Sequence, residues 1–133
     1  MSTPENLKYL ASHQWGQHAA DGSVVVGITD YAQDQLGDVV FVDLPAVGSQ
    51  LTQAGEAGII ESVKTASDLF SPVSGTLIAI NPLLADTPEI VNEDPYGKGW
   101  LFKVQPSAMD AEWTKLLDAA GYQTAVAAEQ DDD

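Results

Sequence analysis

The stretch Gly58-Ile59-Ile60-Glu61-Ser62-Val63-Lys64-Thr65-Ala66-Ser67-Asp68-Leu69-Phe70 decides how this chain folds. Two runs with strand character, 57–63 and 67–70, meet around a single lysine, which puts Lys64 at the tip of a β-hairpin with Glu61 and Asp68 on either side. The loop is unusual. Val63-Lys64-Thr65-Ala66 contains none of the Gly, Asn or Asp residues that two-residue hairpin loops prefer, so the hairpin rests on its strands and not on its turn.

Working outward, further short β-rich runs keep the same rhythm at 23–28, 39–44, 73–81 and 100–105, separated by Gly, Pro, Asn and Asp. This spacing predicts a mainly β fold, a flattened barrel or sandwich of two sheets with a lysine-bearing hairpin. Short helices should decorate it. Thr29 or Asp30 caps a turn that begins Tyr31-Ala32-Gln33 and stops at Gly37. Ser107, three residues before Asp110, forms a capping-box pattern, and Trp113, Leu116 and Leu117 follow at helical spacing, so a C-terminal helix should pack on the sheet. Residues 1–127 then make one domain, and the acidic end, 128–133, is expected to be a solvated, disordered tail.

The chain has 133 residues and 44% hydrophobic content, enough for a single core. Its charge is lopsided: 20 acidic residues face 5 basic ones, all lysine, for a net charge of -15. Nucleic acid and anionic membranes are therefore excluded as partners, and basic protein surfaces are favoured. Without arginine there is no guanidinium fork for planar recognition of phosphate or carboxylate. Without cysteine there is no disulfide, thiol nucleophile or thiolate metal site, so any redox chemistry needs a borrowed group. The first ten residues lack the apolar run of a signal peptide and no stretch approaches a membrane span. The expected compartment is the cytoplasm, although a mature mitochondrial chain would look the same.

Enzyme motifs fail one by one. His13 and His18 lie near Asp21, but catalytic zinc wants three protein ligands and there is no third histidine, so no metal site is expected. No serine sits in a nucleophile elbow, and Gly55-Glu56-Ala57-Gly58 lacks the loop-to-helix setting of a phosphate cradle. Of Lys8, Lys64, Lys98, Lys103 and Lys115, only Lys64 has distinctive neighbours. A Schiff-base lysine needs its pKa lowered by desolvation or a nearby cation, and acidic neighbours do the opposite. Lys64 is better placed to be presented to a modifying enzyme that converts its amine to an amide. By composition alone it is simply a solvated turn lysine.

The octapeptide Glu61-Ser62-Val63-Lys64-Thr65-Ala66-Ser67-Asp68 resembles the lipoylation motif of the glycine cleavage H-protein family. Similar family blocks are 27–33 (Gly-Ile-Thr-Asp-Tyr-Ala-Gln), 36–42 (Leu-Gly-Asp-Val-Val-Phe-Val), 71–75 (Ser-Pro-Val-Ser-Gly) and 91–97 (Val-Asn-Glu-Asp-Pro-Tyr-Gly) with Trp100, and the order fits from about Leu7 to Ala120. The resemblance implies a non-enzymatic lipoyl-carrier domain with lipoic acid in amide linkage on Lys64, recognised for lipoylation through Glu61, Asp68 and Gly75. Gly48 and Gly75 stand at offsets the wider superfamily uses for turns. The carried dithiolane would supply the sulfur chemistry that the chain lacks. It implies that an aminomethyl group is taken from glycine decarboxylase (P-protein) to an aminomethyltransferase (T-protein), with reoxidation by dihydrolipoamide dehydrogenase (L-protein), after loading by a lipoylating enzyme.

The resemblance also implies a cleft in which the loaded arm is protected, at Ser12, Gln14 and Asp68. Relatives usually read His-Glu-Trp where this chain has His13-Gln14-Trp15, so a charge-assisted contact is replaced by a neutral amide at what reads as a surface position. Biotinyl domains flank their lysine with methionines and 2-oxo-acid dehydrogenase lipoyl domains with Asp and Ala; Val63 and Thr65 match neither. An H-protein-like scaffold that relays lipoyl groups to other lipoyl domains is the alternative. Trp15, Trp100 and Trp113 read as packing residues, and the function of the 93–99 loop is left open.

Overall fold

The computed structural model describes residues 3–131. Among these described residues, nine strands form two antiparallel sheets packed as a sandwich, without closing into a barrel. The larger sheet runs β1 (Lys8–Tyr9), β2 (Gln14–His18), β3 (Val24–Ile28), β9 (Phe102–Pro106), β8 (Gly75–Ile80) and β5 (Gln50–Leu51), in that spatial order. The smaller sheet is β4 (Val39–Asp43), β6 (Glu56–Ser62) and β7 (Ala66–Phe70), with β6 in the middle.

The β-branched runs fix these strands by alternation. Val24, Val26 and Ile28 on β3, Ile60 on β6, Leu69 on β7, and Phe102 and Val104 on β9 meet in one core between the sheets. Sequence periodicity missed β1, β2 and β5. Two are only two residues long, and β2 reads Gln-Trp-Gly-Gln-His, so its pairing with β3 and not its own propensity makes it a strand. The Trp15 ring lies flat on Gly27, where any Cβ would strike it, and its Nε1 donates to the carbonyls of Ile28 and Pro95 at 2.9 and 3.0 Å.

Helix α1 (Asp30–Leu36) is capped by Thr29, whose Oγ1 accepts from Ala32 N, and it ends at Gly37, both as expected. Two short helices, α2 (Leu83–Asp86) and α3 (Ile90–Glu93), lie before β9. Helices form at the C-terminal end as expected, but their caps and extents differ from the sequence pattern. No capping box forms at Ser107: α4 (Met109–Trp113) starts at an Ala108 cap with no side-chain bond, and Glu112 turns instead to the amide and hydroxyl of Ser74. Leu116 and Leu117 fall beyond α4. A second helix, α5 (Ala119–Asp131), packs Ala119 and Tyr122 with Leu7, Tyr9 and Trp15 in a separate cluster. It also runs through 128–131, which the sequence reading assigned to a disordered tail; Glu129 is hydrogen-bonded to His13 Nε2, a partner that composition does not reveal. Asp132 and Asp133 lie outside the described residues.

Among the described residues no helix is long and apolar enough to cross a membrane.

Candidate functional site

The loop joining β6 and β7 is held by a serine. Ser62 is buried at the base of the turn; its Oγ accepts from the amides of Lys64 and Thr65, both at 3.2 Å, while its own amide donates to Thr65 O at 2.8 Å. A hydroxyl that gathers turn amides in this way replaces the Gly, Asn or Asp that the loop lacks. Val63 N donates to Asp38 O, tying the tip to the neighbouring β4 segment. Lys64 is therefore exposed on a backbone that is itself fixed.

Gly37 lies directly under the lysine stem, with a Cβ there predicted to come within 3.0 Å of Lys64 Cε. Its φ of +78° and ψ of -160° belong to a region essentially reserved for glycine. Asn92 locks this junction: its Nδ2 donates to Gly37 O at 2.8 Å and to Gln33 Oε1 at 3.1 Å, and its Oδ1 accepts from Val39 N at 2.8 Å. The sequence reading gave neither Asn92 nor Ser62 a role, because both act through partners that only the fold brings near.

A cleft of about 380 Å³ lies beside the hairpin, lined by Thr65, Ala66 and Asp68 from the hairpin and by Ser12, Gln14 and Glu129 from other elements. Its lining is mixed: Ile28, Leu36, Ile60 and Leu69 are apolar, and Ser12, Gln14, Ser67, Asp68 and Glu129 are polar. All three residues expected in an arm-docking cleft, Ser12, Gln14 and Asp68, border it. One expectation fails: Gln14 is not a surface residue but 3% exposed, and its Oε1 accepts the Ser12 hydroxyl.

Between those two residues His13 adopts a left-handed backbone, φ +81°, which costs a non-glycine residue about 1 kcal/mol or more. Its ring explains the exception. Nδ1 lies 2.7 Å from Tyr122 Oη, which lies 2.6 Å from Thr29 Oγ1, and Nε2 lies 3.0 Å from a Glu129 oxygen. One assignment satisfies every atom: Ala32 N–H donates to Thr29, Thr29 to Tyr122, Tyr122 to Nδ1, and Nε2–H to Glu129. Burial pushes the Tyr122 phenol well above the usual tyrosine range, so it remains a donor. The cap of α1, the β2 approach and α5 are thus joined at one wall of the cleft.

The residues expected to guide lipoylation do not all come together. Glu61 and Asp68 are exposed on β6 and β7, flanking the tip. Gly75 is buried in the other sheet, paired with Leu51 and Pro106, and a Cβ there would run into Gln105 O. Its demand is for close backbone packing. His18 stands over Trp113, and among the described residues no group of three or more potential ligands could hold a metal. The 93–99 loop is structural: Pro95 O receives Trp15 Nε1, and Tyr96 Oη accepts the Asp30 amide at the start of α1.

An exposed amine on a rigid tip, next to a cleft with both apolar and polar walls, is the chemistry of a tethered carrier. The model of the glycine cleavage H-protein family matches residues 7–129. The chain belongs to the glycine cleavage H-protein family. It is 60% identical over 126 residues to glycine cleavage system H protein 2 of Pseudomonas aeruginosa, covering 95% of this chain and 96% of that one. With the glycine cleavage system H protein of Marinobacter nauticus it shares 56% identity over 127 residues, covering 96% and 97%. The crystal structure of a glycine cleavage system H protein from Mycobacterium marinum superimposes with a TM-score of 0.80 at 44% identity, covering 90% of this chain and 94% of that one. H-proteins are the lipoyl carriers of the glycine cleavage system, and nothing in these relatives favours the lipoyl-relay alternative.

Proposed function

We propose that this H-protein carries lipoic acid in amide linkage on Lys64, moves an aminomethyl unit between the glycine cleavage enzymes, and has no catalytic activity of its own. One observation carries the reading: Lys64 is presented alone at the tip, its stem passing over a glycine that leaves it clear, at the mouth of the cleft. The residues present fit the group. The apolar walls of the cleft suit a hydrocarbon arm, and its polar groups suit an amine. When bound, the lipoyl group supplies the disulfide and thiol chemistry that a cysteine-free chain cannot.

The chain's own residues bind, orient and shield. Ser62 and Asn92 keep the attachment point fixed, and Glu61 and Asp68 mark the hairpin for a lipoylating enzyme. Ser12, Gln14 and Asp68 border the cleft. The partners are the decarboxylase, the aminomethyltransferase and the dehydrogenase, approached through basic surfaces that complement the -15 charge. Peptide mass spectrometry of protein from a lipoylating host should place the whole lipoyl increment on Lys64. Lys64→Arg should fold normally and carry none; the increment on Lys8, Lys98, Lys103 or Lys115 would overturn the assignment.

A further inference from the structure

The cleft beside the Lys64 hairpin is lined in part by a residue of the last helix, Glu129. We propose that Glu129 is the carboxylate that receives the cationic amine carried by the loaded arm, held in place for it by His13. The inference rests on the carrier reading above. Two acidic side chains border the cleft among the described residues, Asp68 and Glu129. Asp68 is on the hairpin, in an exposed cross-strand row with Ile59 and Asp43, whereas Glu129 comes from α5 and is held beside Ser12 and Gln14 by its bond to His13. Gln14 is neutral there, and its Oε1 is already taken by the Ser12 hydroxyl.

Glu129 is anchored yet only partly used. Its two oxygens lie 3.1 and 3.0 Å from His13 Nε2, but one N–H fills one of about four lone-pair positions on a carboxylate, leaving the others for a second donor. The side chain is 48% exposed, so an ammonium can reach it without being stripped of water first. His13 gives the anchor its direction, since its other nitrogen is fixed by Tyr122 and its backbone by the amide of Thr29, which donates to His13 O at 3.0 Å.

The test compares the lipoylated parent with Glu129→Gln, which keeps an acceptor for His13 and removes the charge. Both are loaded with the decarboxylase, which is then removed. Hydrolysis of the cargo by one water returns the dithiol and releases ammonia and formaldehyde. Release from Glu129→Gln should be about two- to fivefold faster at low salt, with the gap closing at high salt. Glu56→Gln, an exposed acid at the far start of β6, should behave as the parent. In amide NMR spectra, loading should shift the signals of His13 and Glu129 in the parent and leave those positions unmoved in Glu129→Gln. Equal release rates, or unmoved signals in the loaded parent, would overturn the role of Glu129 alone. A chain that never gains the lipoyl mass at Lys64 fails the carrier reading first, and this inference with it.

Discussion

Gln14→Glu puts a carboxylate where the cleft now holds a buried neutral amide. From the sequence the change reads as an exposed ion pair with the cargo amine, contributing at most about 1 kcal/mol. The structure alters that balance for the unloaded protein. Gln14 is 3% exposed and accepts one hydrogen bond, from Ser12, so a glutamate keeps that bond while replacing the Nε2 donor with a second acceptor. Desolvating the ionised carboxylate with a single donor in place should cost about 1–3 kcal/mol.

Burial also raises the folded pKa of such a glutamate above its unfolded value. The native state then keeps its proton to higher pH than the unfolded chain does. The destabilisation is absent well below the unfolded value of about 4.3 and develops as pH rises through and beyond it. At roughly 2.1 cal/mol/K per residue, unfolding of 133 residues carries about 0.28 kcal/mol/K, so the loss corresponds to a Tm lower by roughly 4–11 °C at pH 7. Calorimetry of unlipoylated parent and variant at both pH values measures it. Equal Tm at pH 7 would refute the burial argument, and an equal loss at pH 4 and pH 7 would assign the effect to packing and not to charge.

Gly37→Ala should cost about 1–3 kcal/mol, because its backbone occupies a glycine-only region and the flexible Lys64 stem can swing aside; an unchanged thermal melt would disprove the strain. Burial raises the phenols of Tyr9, Tyr122 and Tyr96, so unfolded tyrosines lose protons near pH 10 while the folded ones keep theirs. Stability should hold below that value and fall as pH rises above it; absorbance at tyrosinate wavelengths should then rise together with unfolding, and full titration of all tyrosines in a still-folded chain would contradict this. The association rate with the decarboxylase should drop as salt increases, given a net charge of -15, and a rate flat across ionic strength would exclude electrostatic steering.

What the sequence made legible is what local pattern encodes. Val24, Val26 and Ile28 announce β3 by alternation, Thr29 and Gly37 bound α1, and the two runs around Lys64 announce the hairpin. Patterns fail where a residue's role depends on a distant partner. β2 is a strand because β3 is beside it, and Gln14 is buried on that strand and accepts the Ser12 hydroxyl, although its amide reads as a surface group. Composition made 128–131 look like tail, because counting charges cannot show that Glu129 meets His13 across the fold. Gly75 shows the converse: the sequence marks its position, and the fold supplies a packing reason for it, close contact with Gln105 O.

The same distinction explains how the site divides rigidity from motion. A tethered group raises its effective concentration at a partner only when the moving part is short, since each added flexible segment spreads the volume it samples. Here Ser62 fixes the turn amides, Val63 is tied to Asp38, and Asn92 clamps the α1–β4 junction over which the lysine lies. None of these contacts involves the Lys64 amine. Flexibility is thereby confined to the lysine stem and whatever it bears, and the return path is equally defined, because the cleft begins one residue away at Thr65. A hairpin with a glycine at its tip would have satisfied the turn more easily. It would also have loosened the one point on the chain that has to stay still.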